Sequence, residues 1–188
     1  RALDVWAQKR CLDPAKLREV WKLQPVIRRG VVNDGWRDRP AVDFPTPAGP
    51  APRIRYLDGQ LPKTGWPSAK ERSRHGWQAP AKGAWYGLEQ ALPLLPEAGG
   101  TVFLVNGEPS VWAAYQAKVP AICTCAGEKA ALSPAAVKRL AGALLPRKAR
   151  VAVAFDLDAA GREGAAAAVA ALRAGGLEAV ALELPSDL

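Results

Sequence analysis

The stretch Val151–Gly161, V-A-V-A-F-D-L-D-A-A-G, decides the fold class of this chain. Its short run of small apolar residues predicts a buried strand, which stops at two carboxylates, Asp156 and Asp158. Alternate residues of an extended chain point to the same side, so these carboxylates converge where the strand ends. Paired carboxylates at a strand end are typical ligands of a Mg²⁺ ion that binds phosphate. Alternatively, Asp158 is only the N-cap of the helix that follows. The segment alone leaves both interpretations open.

The segments around this stretch alternate between strand and helix patterns. Strands and helices that alternate at this spacing favour a parallel sheet covered by helices. We therefore expect an α/β fold for residues 96–188. The predicted strands are Thr101–Val105, Pro120–Cys125, Arg150–Phe155 and Leu177–Leu184, and the predicted helices are Pro109–Lys118, Ser133–Leu144 and Ala159–Ala174.

The first half of the chain differs in charge and composition. Residues 1–95 carry 17 lysines and arginines against 9 acidic residues, whereas the remainder carries 9 of each. A helix is predicted from Asp13-Pro14 to about Leu23, short strands at Ala41–Phe44 and Arg53–Leu57, and a loop over Leu61–Gly83. We expect a basic α+β domain with short antiparallel strands over residues 1–95, joined to the α/β domain over 96–188.

Basic and aromatic residues are interleaved in this first half. Aromatic rings can stack on bases while basic groups hold phosphates, so the pattern favours a nucleic-acid surface. A solvated basic loop is the alternative, and the single histidine, His75, is at most a contact. The candidate binding residues are Arg53, Arg55, Lys63, Lys70, Arg72, Arg74 and Lys82.

Several classes of protein do not fit the sequence. The C-x-C spacing of Cys123 and Cys125, with one histidine, is not that of a zinc site, so we expect no zinc and assign both cysteines and Trp112 to the core. Without a signal peptide or a long apolar segment, we expect a cytoplasmic protein with no membrane partner. The sequence starts without methionine and stops in mid-pattern, which predicts that it is part of a longer protein.

The second half resembles the TOPRIM domain of bacterial-type (DnaG-like) primases, phage primase-helicases, topoisomerases and some nucleases. F-D-L-D-A-A-G-R (Phe155–Arg162) is similar to the family's strand that ends in Asp-x-Asp. V-F-L-V-N-G-E-P-S (Val102–Ser110) stands where the family has a strand that ends in Glu-Gly. The resemblance implies that Asp156 and Asp158 bind Mg²⁺ or Mn²⁺.

The first of these motifs departs from the family pattern. Asn106 replaces the family's general acid/base glutamate, and Ser110 replaces its following aspartate. The resemblance then leaves Glu108 as the third catalytic and metal-binding residue beside Asp156 and Asp158. The alternative for Glu108 is an exposed turn residue at a helix start, which the helix dipole favours. Secondary candidates for the site are Asn106, Gly107, Glu128 and Arg162.

The first half resembles the basic subdomain that precedes TOPRIM in bacterial-type primases. The similar segments are Arg39–Pro45, Pro52–Gly59, Leu61–Pro67 and K-G-A-W-Y-G-L at Lys82–Leu88. The resemblance implies the catalytic core of a primase, which makes RNA primers from ribonucleoside triphosphates on single-stranded DNA beside a replicative helicase, fused or separate. A non-catalytic nucleic-acid-binding module with a degenerate metal site is the alternative. A TOPRIM nuclease fits less well, because such nucleases lack the basic run.

Overall fold

The chain forms two compact units, Arg1–Ala81 (the first unit) and Lys82–Leu188 (the second unit). The computed structural model describes residues 1–32, 35–78, 81, 83–125 and 131–182. The division between the units falls earlier than the 95/96 boundary expected from composition, because Trp85 and Tyr86 pair with a strand of the second unit. No helix in these residues is long and apolar enough to cross a membrane.

The first unit is a four-stranded antiparallel sheet with short helices. The strands lie in the order β1-β2-β3-β4, so that β1 is an edge strand. The elements are α1 (Ala2–Gln8), α2 (Pro14–Glu19), β1 (Gln24–Val32), β2 (Gly35–Thr46), β3 (Gly49–Tyr56), β4 (Thr64–Gly65) and α3 (Ala69–Arg74).

Parts of the first unit differ from the sequence-based prediction. The predicted loop over Leu61–Gly83 is wrong, because it contains β4 and α3. Helix α3 buries no side chain, so its sequence shows no apolar periodicity, although Ser68 caps it by accepting a hydrogen bond from the Glu71 backbone N–H (3.2 Å). Strand β1 was not predicted, because apolar residues and arginines occur on both its exposed and its less exposed face, so its sequence shows no apolar/polar alternation. Helix α2 is capped by Asp13 as expected but ends at Glu19 rather than near Leu23.

The second unit is a five-stranded sheet in the order β5-β7-β6-β8-β9. Strands β6 to β9 are parallel, and β5 is antiparallel to β7, which confirms the predicted α/β fold. Within the described residues the last strand is Ala179–Ala181, so it begins two residues after the predicted start at Leu177, and the predicted end at Leu184 lies outside those residues. The elements are β5 (Trp85–Tyr86), α4 (Leu88–Ala91), β6 (Thr101–Val105), α5 (Glu108–Gln116), β7 (Ala121–Thr124), α6 (Pro134–Leu144), β8 (Arg150–Ala154), α7 (Ala159–Ala174) and β9 (Ala179–Ala181).

Strand β8 lies in the middle of the second unit's core. Val151, Ala152 and Val153 are all buried, as expected for a parallel strand covered on both faces. Helix α7 packs into the same core through small residues and Leu172, and it follows β8 after only four residues. The carboxyl end of β8 is therefore held firmly, and the two aspartates lie in the short connection that leaves it.

Candidate metal-binding edge and nucleic-acid surface

The carboxyl ends of β6 and β8 lie side by side in the second unit. Their parallel register pairs Val105 with Ala154, the last residues of the two strands. The segments that follow, 106–108 and 155–158, therefore leave the sheet at the same edge, where open α/β sheets bind ligands. We call these two segments the carboxyl edge.

Asp156 and Asp158 are both exposed at the carboxyl edge. Asp158 is also the N-cap of α7, and its Oδ1 accepts a hydrogen bond from the Gly161 backbone N–H (2.7 Å). The capping interaction that sequence offers as the alternative is thus present. A carboxylate has two oxygens and about four acceptor positions, so one capping bond leaves capacity for a metal ion. Arg162, in the first turn of α7, donates to the Leu157 backbone carbonyl.

Gly161 allows the first turn of α7 to lie directly on Asp156. A Cβ at this buried position would lie 2.0 Å from the Asp156 carbonyl oxygen and 2.8 Å from its carbonyl carbon. Both atoms belong to the backbone and have little freedom to move. The glycine therefore sets where the backbone of Asp156 lies relative to α7, a role that sequence analysis did not assign to it.

On the β6 side, Asn106 has an unsatisfied oxygen. Its Oδ1 is buried and has no hydrogen-bond partner. A buried polar atom without a partner costs about 1–3 kcal/mol, so such an atom calls for a ligand or another explanation. An amide oxygen is a hard donor of the kind that Mg²⁺ and Ca²⁺ accept. By the sequence resemblance, this oxygen belongs to the residue at the position where TOPRIM domains have a glutamate.

Glu108 is the first residue of α5, after the N-cap Gly107, and is only 4% exposed. Its interpretation as an exposed turn residue is therefore wrong. The residue lies near Tyr86, whose hydroxyl accepts a hydrogen bond from Trp112 Nε1 (2.8 Å). Burial raises the pKa of Tyr86 well above 10, and the nearby charge of Glu108 adds to the increase. Trp112 and Cys123 are in the core as predicted, whereas Cys125 is half-buried.

The acids of the carboxyl edge do not form one cluster in the structure. Within the described ranges, no group of three or more His, Cys, Asp or Glu side chains could hold a metal ion. The joint role of Glu108, Asp156 and Asp158 therefore stays a prediction. Two of the candidates, Lys82 and Glu128, lie outside the described residues.

Arginines pair with four acidic residues among the described residues of the first unit. This unit contains 16 lysines and arginines and 8 acidic residues. Arg39 is fully buried and binds Asp58 through two hydrogen bonds (2.8 and 2.7 Å), which lower the pKa of that carboxyl. Arg28 pairs with both Asp43 and Glu71, and Arg18 pairs with Asp4. Three arginines thus neutralise four acids, and the surplus positive charge is left to the remaining basic residues.

The candidate basic residues divide into two groups. Lys63, Lys70 and Arg74 are exposed and form no ion pair with another described residue. The other three described candidates are half-buried against the first unit itself: Arg53 lies over the Trp66 ring (4.9 Å), Arg55 over the Trp6 ring (5.3 Å), and Arg72 donates to the Pro67 carbonyl (2.5 Å).

An aromatic stack follows α3. The rings of the exposed His75 and the half-buried Trp77 are 4.5 Å apart and inclined by 19°. The exposed cations Lys70 and Arg74 lie in α3 just before this stack. A surface that combines cations with aromatic rings suits single-stranded nucleic acid.

Comparison with known proteins identifies the fold. By sequence, the chain matches no protein-family model and no curated protein. By structure, the whole chain aligns with 51% of a chain of the Aquifex aeolicus primase (zinc-binding and RNA polymerase domains), with a TM-score of 0.70 and 17% identity. It aligns with 69% of the RNA polymerase domain of Mycobacterium tuberculosis primase DnaG (TM-score 0.68, 17% identity).

Two further structures agree with these. The whole chain aligns with 65% of a DnaG primase catalytic domain bound to single-stranded DNA (TM-score 0.64, 18% identity). It aligns over 95% of its length with 64% of the primase fragment of the bacteriophage T7 primase-helicase (TM-score 0.54, 15% identity). The chain thus spans about half of the Aquifex primase fragment and about two thirds of the others. It has the fold of the catalytic core of DnaG-like primases.

Proposed function

We propose that this chain is the catalytic core of a primase, which joins ribonucleotides on a single-stranded DNA template in a metal-dependent reaction. The observation that carries the proposal is the primase fold over the whole chain, with Asp156 and Asp158 at the carboxyl end of β8. One structural neighbour is described as bound to single-stranded DNA, and another is a fragment of a primase-helicase. The implied partners are therefore a DNA template, an RNA primer, ribonucleoside triphosphates and a helicase.

The residues of the carboxyl edge suit Mg²⁺ or Mn²⁺ as the metal. The exposed carboxylates Asp156 and Asp158 supply charged oxygens, and the unpaired Asn106 Oδ1, just after the neighbouring strand β6, supplies a neutral one. All three are the hard donors that these ions prefer. Glu108 is a further acid at the same edge, although its burial beside Tyr86 suits a residue that positions the edge as well as one that binds metal.

A divalent ion bound at this edge would neutralise the triphosphate and favour attack by the 3′-hydroxyl of the primer. The chain's own contribution is to position the groups. One carboxylate oxygen of Asp158 accepts a hydrogen bond from the backbone of α7, which orients the carboxylate. Gly161 lets the backbone of Asp156 pack closely against the same turn. The first unit holds the polynucleotide through phosphate contacts from exposed cations, chiefly Lys63, Lys70 and Arg74.

Template binding can be tested through its salt dependence. Every cation that stops binding a phosphate of a single strand reduces the slope of log affinity against log salt by about 0.7. Changing Lys63, Lys70 and Arg74 together to Gln should therefore weaken binding of single-stranded DNA and flatten the slope by about 2. The control changes three exposed cations of the second unit, Lys138, Arg139 and Arg147, and should leave most of the slope in place. Equal effects of both triple variants would show that the first unit has no special role.

The alternative function is a nucleic-acid-binding module without catalysis. Asn106 and Ser110, which replace the family's acids, favour it, because an amide cannot shuttle a proton. Template-directed ribonucleotide incorporation distinguishes the two functions. Activity that is lost in Glu108→Gln and kept in the exposed-site control Glu163→Gln supports a primase that uses Glu108. An inactive protein that gains activity in the double variant Asn106→Glu, Ser110→Asp supports the degenerate module.

A further inference from the structure

Strand β1 is a long edge strand of the first unit's sheet. Among the described strands it pairs with β2 alone. It spans nine residues, Gln24–Val32, whereas strands usually have about five or six. An edge strand presents a row of backbone N–H and C=O groups to which another chain can pair, so native proteins keep such edges short or cover them. The length of β1 therefore raises the question of what pairs with it.

The ladder shows which backbone groups of β1 point away from the sheet. Ile27 lies opposite Pro40. Pro40 has no N–H, and its carbonyl accepts a hydrogen bond from the Leu57 N–H (2.9 Å) on the far side of β2, so this pair is not a hydrogen-bonded one. Bonded and non-bonded pairs alternate along an antiparallel ladder, so Pro25 and Arg29 point outward like Ile27. Ile27 and Arg29 each present an N–H and a C=O at the edge, and Pro25 presents a C=O.

These outward groups are unused within the described part of the chain. No described residue outside β2 forms a hydrogen bond with the main chain of residues 25–29. Farther along β1 the edge is closed, because the buried Arg39 donates to the Val31 carbonyl (3.1 Å). Ile27 is 67% exposed, and Arg29 is exposed as well. Residues 25–29 thus form an accessible stretch, which we call the open edge.

The spacing of the outward groups fits an extended polypeptide. Ile27 and Arg29 are two residues apart, so their N–H and C=O groups recur with the period of a β-strand. A strand that pairs with the open edge would exchange hydrogen bonds with both residues. In this mode of recognition the main chain supplies affinity, and alternate side chains supply specificity.

The sequence of β1 opposes pairing with a second copy of itself. An antiparallel pair of β1 strands centred on Ile27 would set Pro25, which has no N–H, opposite Arg29. A pair centred on Arg29 would set this charge opposite its own copy, which is destabilising. The first unit also has 16 lysines and arginines against 8 acidic residues, so two copies repel each other. The partner is therefore a different chain.

Charge and exposure indicate the chemistry of that partner. Arg29 lies opposite Asp38 in the ladder, but it forms no ion pair with any residue that the structure describes. An acidic side chain on an added strand would supply a partner for it, and an apolar one would cover Ile27. Val31 and Trp36, which are 36% and 65% exposed, continue the apolar surface on the same face.

We propose that the open edge binds an extended segment of a partner protein. The segment adds to β1 as an antiparallel strand, with an apolar residue opposite Ile27 and an acidic residue opposite Arg29. This interaction goes beyond the proposed function and does not depend on it.

The test uses the synthetic peptide acetyl-TVTETVTET-amide as the added strand. Its valines and glutamates share one face and its threonines the other. Amide hydrogen exchange in the isotope-labelled protein reports both binding and its location. The amides of Ile27 and Arg29 should exchange about tenfold more slowly, or less, when the peptide is bound. The Arg28 amide is the internal control, because its place in the ladder opposite Arg39 should protect it with and without peptide.

Matched peptides test whether the contact is a strand pairing. In an antiparallel pair the N–H groups of the valines and glutamates face β1, so N-methylation of these residues should abolish binding. N-methylation of the threonines, whose N–H groups face away, should leave binding in place. Replacement of both glutamates by lysine should weaken it.

A pair of protein variants separates the backbone from the side chain of Arg29. Arg29→Pro removes an outward N–H without breaking the ladder, so it should weaken peptide binding about two- to tenfold. Arg29→Ala keeps the N–H and should lose only the preference for glutamate over lysine.

Three results would overturn the inference. The first is unchanged exchange of the Ile27 and Arg29 amides at millimolar peptide, and the second is equal binding of the two N-methylated peptides. The third is slow exchange of both amides without peptide in a protein that sediments as a dimer, since a second copy would then occupy the edge. None of these results bears on primer synthesis, so the proposed function is tested separately.

Discussion

The close packing of Gly161 on Asp156 leads to a prediction about the stability of the second unit. In Gly161→Ala the new Cβ would lie 2.0 Å from a backbone carbonyl oxygen, so either α7 or the β8–α7 connection must shift. Overpacking of this kind costs about 1–3 kcal/mol. Alanine also has a higher helix propensity than glycine, by about 1 kcal/mol in a helix interior. The gain here should be smaller, because Gly161 is in the first turn of α7. We expect a net loss of about 1–2 kcal/mol in the free energy of unfolding.

Gly142→Ala is the matched control. Gly142 is exposed in a terminal turn of α6, and a Cβ there meets no atom within 4 Å. The same chemical change should therefore stabilise the protein by a few tenths of a kcal/mol. Urea denaturation followed by circular dichroism at the helix band measures both variants. If Gly161→Ala is as stable as Gly142→Ala, the first turn of α7 does not rest on Asp156 and our account of the carboxyl edge is wrong.

Three further predictions test other parts of the structure. Asp158→Asn should be as stable as the wild-type protein, because Asn caps helices as well as Asp, but it should lose metal-dependent activity. Asp158→Ala should lose this activity too, and its free energy of unfolding should fall by about 1 kcal/mol because the cap is removed. Equal activity of Asp158→Asn and wild type in a magnesium titration would show that capping is the residue's only role. Asp58→Asn should cost about 2 kcal/mol, because it weakens the pairing of the buried Arg39. Since Arg39 lowers the pKa of Asp58, this stability is present above the ordinary carboxyl pKa and is lost as the pH falls below it. The acid unfolding curve of Asp58→Asn should accordingly be flatter than that of the wild type, and parallel curves would contradict the pairing. Gly30→Ala should unfold at a lower urea concentration than Gly35→Ala, because a Cβ at residue 30 would clash with the Tyr56 side chain, whereas one at residue 35 meets no atom within 4 Å.

Sequence predicted the second unit well for a physical reason. A parallel strand that is covered on both faces reads as a continuous apolar run, and β6 and β8 do so. Each is followed by a helix whose start is marked by a proline or a capping side chain, so the order of elements could be predicted. The two aspartates could be placed at the strand end by the same argument.

The sequence of the first unit predicts its strands and helices less well. Burial alternates along β1, but apolar residues and arginines occur on both of its faces, so its sequence lacks the apolar/polar alternation that marks a half-buried strand. Helix α3 is held by its cap and by the pairing of Glu71 with Arg28 rather than by an apolar face. Neither the pairing of distant side chains nor the burial of Arg39 can be recognised from the local sequence.

The carboxyl edge shows a similar limit. Sequence could identify Asn106 as a departure from the family pattern and Glu108 as the acid that is left. It could not show that Asn106 Oδ1 is buried without a partner or that Glu108 lies close to Tyr86. Both facts depend on how α5 packs beside β5 and β7, which is a long-range property of the fold. The role of Gly161 likewise depends on a backbone contact within a motif rather than on the residue type alone.

The most direct test of the proposed function measures incorporation of labelled ribonucleotides on single-stranded DNA, with Mg²⁺ or Mn²⁺, by the wild-type protein and Asp156→Asn. The proposal predicts metal-dependent products of several nucleotides for the wild type and none for Asp156→Asn, although both proteins should unfold at the same urea concentration. Undiminished synthesis by the folded Asp156→Asn variant, or no synthesis by the wild-type protein with either metal, would contradict the proposal that this chain is a primase core with its metal at the end of β8.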